Sequence, residues 1–176
     1  MTIRYLPDRN FPKYAFVPGR HPHPVNDPAG HAFAQTAPAV PPLDPQRPRE
    51  RMEFLYAVDL FNHGYFWEAH EAWESLWHAA GRSGPVGDLL KGLIKLAAAG
   101  VKAREGNAAG VARHARRAAE LLRSIEHRED LHGLWDVING STLLRISDEL
   151  TDHPVIDATP TVEGRPVPPL RIVLGD

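Results

Sequence analysis

The sequence predicts an all-α protein: a compact helical bundle of about four main helices plus two short ones, flanked by proline-rich extended N- and C-terminal arms. Three observations predict it. All but Pro85 of the 17 prolines fall in residues 1–48 or 151–176. Between them, apolar residues recur at a helical period. Only Leu170-Arg-Ile-Val-Leu174 alternates like a strand, and one strand signal without a partner is weak.

In residues 1–48, prolines from Pro7 to Pro48 fix φ and remove backbone donors, which denies the segment a helix. Its Phe11, Tyr14, Phe16 and Phe33 are too apolar for a free linker, so the arm is expected to lie across the helical body, loosest over Thr36–Pro48. Helix one is expected at about 49–62, carrying Phe54, Leu55, Val58 and Phe61 on one face and stopping at His63-Gly64. Helix two spans about 65–79, free of Gly and Pro and closed by Gly81 and Gly84-Pro85.

Helix three should start near Pro85 and run to a stop at Gly106. Its Gly92 and the Ala97–Gly100 run allow another helix to approach closely. Asn107 suits the N-cap of a fourth helix, whose Val111, Ala115, Ala118, Leu122 and Ile125 form one apolar stripe. Two short helices, about 130–138 and 141–150, are split by Asn139-Gly140, so residues 49–150 form the helical domain. Residues 151–176 return to extended tail, in which Leu170–Leu174 is a candidate strand against the N-terminal arm.

A chain of 176 residues is about one domain, and 43% hydrophobic with 24% charged residues is ordinary globular composition. A net charge of −2 with scattered basic residues gives no footprint for nucleic acid or an anionic membrane. Absence of cysteine excludes thiolate catalysis and thiolate metal sites, so any metal must use His, Asp, Glu or water. The first residues, Met1-Thr-Ile-Arg-Tyr-Leu, lack the apolar stretch of a secretory signal, and no segment approaches the ~20 apolar residues that span a bilayer. The expected location is the cytoplasm; oligomeric state is not legible.

The chemically dense segment is Phe61-Asn-His-Gly-Tyr-Phe-Trp-Glu-Ala-His-Glu-Ala-Trp-Glu-Ser-Leu-Trp-His78. Residues three and four apart are neighbours on a helix, so His70 and Glu71 each meet Glu74. An imidazole and a carboxylate one turn apart chelate a divalent ion such as zinc, manganese or iron. The pattern departs from His-Glu-x-x-His at its last position, where Glu74 stands. His78 lies roughly 12 Å along the axis from His70, too far to share an ion with it. Further donors would come from His63, His114, or His21 and His23 in the arm. The bland reading of the same residues is a buried polar network that fixes helix packing. By the same standard His21-Pro-His23 is a turn surface before it is a metal clip, and Lys91, Lys95 and Lys102 a solvated stripe before an anion site. The basic residues around His114 read as a solvated face.

The run Asp59–Trp77, followed by Leu90-Lys-Gly-Leu-Ile-Lys-Leu-Ala-Ala-Ala-Gly100 and the Gly106-Asn107 turn, resembles the DUF309 family over about residues 50–126. Tyr14-Ala-Phe-Val-Pro-Gly, His21-Pro-His-Pro and Asp27-Pro-Ala-Gly-His31 resemble a proline-rich extension of some longer members. The resemblance implies a helical bundle and an activity described as metal-dependent hydrolase. It also implies signature polar positions at Asn62, Glu68, His70, Glu71 and Glu74, with Trp77 as companion. Lys91 or Lys95 stands where the family often has glutamine.

Three functional readings follow. In the first, His70 and Glu74 hold a divalent ion, Glu71 is the general base, and Asn62 or Glu68 orients them. In the second, the cluster is structural and the chain is a helical binding or scaffold module for a protein partner. In the third, an aromatic pocket near Trp67, Trp73 and Trp77 senses a small molecule.

Overall fold

A computed structural model describes residues 3–36 and 38–175. Ala37, inside the stretch expected to be loosest, lies outside the described residues. Six α-helices are found among the described residues: α1 (Met52–Asn62), α2 (Phe66–Ala79), α3 (Gly84–Glu105), α4 (Ala108–Ile125), α5 (His132–Val137) and α6 (Gly140–Asp152). They pack largely in chain order, α1 on α2, α2 on α3, α3 on α4 and α4 on α6.

The local signals explain most boundaries. Pro85 sits in the first turn of α3, and Gly106 ends that helix in the left-handed region at φ 76°. The Asn107 side chain then caps α4, accepting from the Gly110 amide at 2.8 Å. The apolar stripe from Val111 to Ile125 is buried. Helix one starts later than the expected 49, because Pro48–Glu50 form a separate 3-10 turn and Arg51 is extended (φ −91°, ψ 101°). The last two helices run 132–137 and 140–152, hinged at Asn139 in the left-handed region.

Close approach of α2 to α3 depends on Gly100, where an added Cβ would fall into the Phe66 ring. Gly92 in turn lies against Leu122 of α4. The core built around these contacts includes Phe54, Phe61, Phe66, Trp73 and Leu96.

The expected strand at Leu170–Leu174 does not form. Its alternation is real: Leu170, Ile172 and Leu174 are buried, while Arg171 and Val173 are exposed. Side chains, however, take the place of a neighbouring strand. Asn62 Nδ2 donates to the Ile172 carbonyl and Asn62 Oδ1 accepts the Ile172 amide, each at 2.7 Å. The Leu174 amide donates to the Tyr5 hydroxyl at 2.8 Å. Only an isolated bridge between Val167 and Leu170 has β geometry among the described residues.

On the same helix, one turn from Asn62, the fully buried Asp59 receives the amides of Tyr5 and Leu6 and pairs with Arg4 at 3.2 Å. Ala15, Phe16, Val17 and Leu43 of the N-terminal segment are also buried.

Candidate functional site

Helix α2 carries the site because its sequence has no breaker between Phe66 and Ala79 and its apolar residues anchor it from two sides. Trp73, Ala69 and Leu76 are buried toward the core. His70, Glu71 and Glu74 lie at the edge of that buried face, each half-buried, and their ligand atoms all come within 4.8 Å of one another. Among the described residues no group donates a hydrogen bond to the Glu71 or Glu74 carboxylate. A purely structural network would be closed, with its polar atoms paired; these two carboxylates are open.

The environment separates their proton affinities. Burial, reinforced by the like charges of Glu74 and Glu68, raises the Glu71 carboxyl to about 7. Burial lowers the His70 pKa, with the Lys95 charge acting in the same direction and Glu74 opposing it. His70 is therefore a neutral imidazole at pH 7, the form that ligates a metal. His114 of α4 is pushed down to about 4, first by burial and then by the positive charges of Lys95, Arg113 and Lys102. It lines a groove of about 360 Å³ with Lys95, Arg113 and Arg116, and the His70 imidazole is close enough to act on it in the same direction as those charges.

A second face of α2 opens on a cleft of about 420 Å³ between the N-terminal segment, α1 and α2. Glu68, Glu71, Ala72 and Ser75 line it at helical spacing, together with Tyr56 of α1 and His31 of the arm. Glu71 thus belongs both to the cleft wall and to the His70–Glu74 group.

The other predicted residues are dispersed. Asn62 has both ends of its amide engaged by Ile172 and makes no hydrogen bond to His70 or Glu74 among the described residues. Glu68 is buried, and its Oε1 accepts the Phe16 amide at 2.9 Å and lies 3.2 Å from His31 Nε2. His63 caps the end of α1 through Nδ1 at 2.8 Å from the Asp59 carbonyl and packs on Phe11. His78 is exposed beside Trp77. Trp77 lies under the Lys91 ammonium, 5.1 Å from the ring centre.

The two arm histidines pack on different aromatic neighbours. His21 stacks on Tyr14, whereas His23 packs against Phe16 and Trp67 and uses Nδ1 to accept the Val25 and Asn26 amides at 3.3 Å. His31 is the residue that sequence reasoning missed. Its contact with Glu68 spans 37 residues of sequence and follows no local spacing; the Asp27-Pro-Ala-Gly-His31 turn was the available signal.

No curated protein and no solved structure matches the chain. Residues 54–114, from α1 into α4 and including His70, Glu71 and Glu74, match the family model described as a domain of unknown function, DUF309. In that segment the chain is similar to the DUF309 family.

Proposed function

We propose that this protein is a divalent-metal-dependent hydrolase, with His70 and Glu74 as metal ligands and Glu71 as general base. One observation carries the reading: an imidazole and two carboxylates bring ligand atoms within 4.8 Å of one another beside an open cleft. The donor set fits a borderline or hard ion, manganese, iron or zinc, and leaves positions free for water. Such an ion, when bound, supplies Lewis acidity that moves the pKa of water toward neutrality.

The chain's own groups do the rest. His70 is held neutral by burial, so it offers a lone pair without first losing a proton. Glu71, near 7, is balanced to accept a proton from a water in the cleft and return it to a leaving group. A net charge of −2 and no helix long and apolar enough to cross a membrane among the described residues favour a cytoplasmic protein acting on a small molecule or a protein rather than on nucleic acid or a membrane.

A non-catalytic binding or scaffold module is the second reading, favoured by one specific observation: Asn62 and Glu68, two signature positions, are occupied in holding the tail and the arm. Elemental analysis of untagged protein, reconstituted anaerobically with manganese, iron or zinc, separates the two. The hydrolase reading expects stoichiometric metal, lost in the double variant His70→Ala, Glu74→Ala while far-UV circular dichroism stays helical. Absence of metal from both proteins, with a large fall in the variant's melting temperature, would assign the cluster to packing.

A further inference from the structure

Helix α3 is central, and it opens to solvent along one line. Between Leu90 and Arg104 the only residues not buried are Lys91, Lys95, Ala98 and Lys102, which recur at i, i+4, i+7 and i+11. The two ends of that stripe touch different helices: the Lys91 ammonium lies over the Trp77 ring of α2, and the stem of Lys102 lies against Gly110 of α4. On α2, Glu74 and His70 stand one and two turns before Trp77 on its face, and on α4, His114 and Arg117 stand one and two turns after Gly110. The lysine stripe therefore runs along a furrow between α2 and α4, with Lys95 near its middle. The Lys95 charge accordingly bears on both imidazoles, His70 and His114.

Two of the three lysines are engaged, Lys91 by Trp77 and Lys102 by Glu105 at 2.6 Å. Lys95 is half-buried in the furrow and pairs with no carboxylate among the described residues. The groove of about 360 Å³ beside it adds Arg113 and Arg116, which also pair with no carboxylate among the described residues, while Glu120 is taken by Arg117 at 2.7 Å. Three unanswered cations from two helices thus converge on one concave surface, with His114 in its wall. A cation is repelled there, and a single carboxylate answers one of the three charges. A phosphate dianion accepts several N–H donors at once and matches guanidinium and ammonium groups together. The groove has room for that group with a small organic remainder.

We propose that this furrow receives the phosphate group of a small phosphomonoester, held by Lys95, Arg113 and Arg116 beside the His70–Glu74 group. As a substrate class this rests on the hydrolase reading; as a binding site it does not, and it is present in metal-free protein. Hydrolysis of such an ester forms a bond from phosphorus to the oxygen of water and breaks the bond from phosphorus to the ester oxygen. Glu71 takes the proton from that water and the departing oxygen receives it, so the products are inorganic phosphate and an alcohol.

The test is a heteronuclear NMR titration of the EDTA-treated full chain in phosphate-free buffer with phenyl phosphate, the monoanion phenyl sulfate and uncharged phenol. Saturable shifts of the amides around Lys95 and His114 are expected with phenyl phosphate, with phenyl sulfate at least about fivefold weaker and phenol without effect. Lys95→Gln, and separately the double variant Arg113→Gln, Arg116→Gln, should each weaken binding by about tenfold or more. Arg145→Gln removes the same charge from α6, outside the furrow, and should bind as the parent does. No saturable binding of phenyl phosphate, equal binding of phenyl sulfate, or equal weakening by Arg145→Gln would each overturn the proposal. Turnover is read separately, on manganese-reconstituted protein with p-nitrophenyl phosphate and p-nitrophenyl acetate. Phosphate binding without turnover of either ester keeps the anion site and counts against the hydrolase reading, whereas turnover of the acetate without phosphate binding keeps the hydrolase and overturns the substrate class.

Discussion

At the scale of single residues, the chemistry of α2 is set by desolvation and like charge. His70 and His114 are both held toward the neutral form by burial, and Lys95 bears on both. His114 has the larger consequence for stability against pH. Its folded pKa is near 4 against an ordinary 6.5, so below 6.5 the unfolded chain takes up a proton that the folded protein refuses. Stability from this source is full above pH 6.5 and is lost as the pH falls toward 4. The variant His114→Gln, which cannot titrate, should show a flatter decline in melting temperature between pH 7 and 4.5. Parallel declines for variant and parent would contradict the burial of this imidazole.

For Glu71 the sign is reversed. A carboxyl raised to about 7 contributes stability that is full at pH 4 and decreases as the pH rises through 7.

Among elements, the α2–α3 contact is the one on which the site's position depends. Phe66, 2% exposed, occupies the space that the absent Gly100 side chain leaves. Gly100→Ala gains helix propensity but puts a methyl well inside van der Waals distance of the buried Phe66 ring, so that ring or backbone must shift. The expected net effect is a loss of about 1–3 kcal/mol, read from the urea midpoint at constant m. A gain of stability would mean that α2 can shift, and the placement of His70 and Glu74 with it. Periodicity did predict a close helix approach at this run of small residues, because the need for small side chains is visible locally. It did not identify Phe66 as the partner.

Considered as a whole molecule, the bundle is strapped at both ends by polar residues of α1 and α2. Asp59 and Asn62, one turn apart on α1, hold the N-terminal segment and the C-terminal tail respectively. Arg104 of α3, 3% exposed, adds a second tie to the tail through Asp157 at 3.2 Å and the Arg165 carbonyl. Asn62→Ala removes two hydrogen bonds at once and leaves a buried amide and carbonyl of Ile172 unpaired, at about 1–3 kcal/mol for each group. Amide exchange at Ile172 should rise strongly in that variant while exchange in α4 changes little. Uniform acceleration across the bundle would instead show that tail and body unfold as one unit.

What the sequence determined by itself was everything governed by neighbours within a turn or two. The proline distribution, the Gly106-Asn107 punctuation and the i, i+3, i+4 spacing dictate the helices, their order, and the meeting of His70 and Glu71 with Glu74. Only the tertiary structure decided which polar groups were already spoken for. Asn62 meets Ile172 across 110 residues, and Glu68 meets Phe16 across 52. No spacing rule encodes such pairs, because they arise where separate segments pack and a buried donor must find an acceptor. The same packing made Leu170–Leu174 an extended tail held by side chains, and it left an acidic cleft where arm and bundle meet.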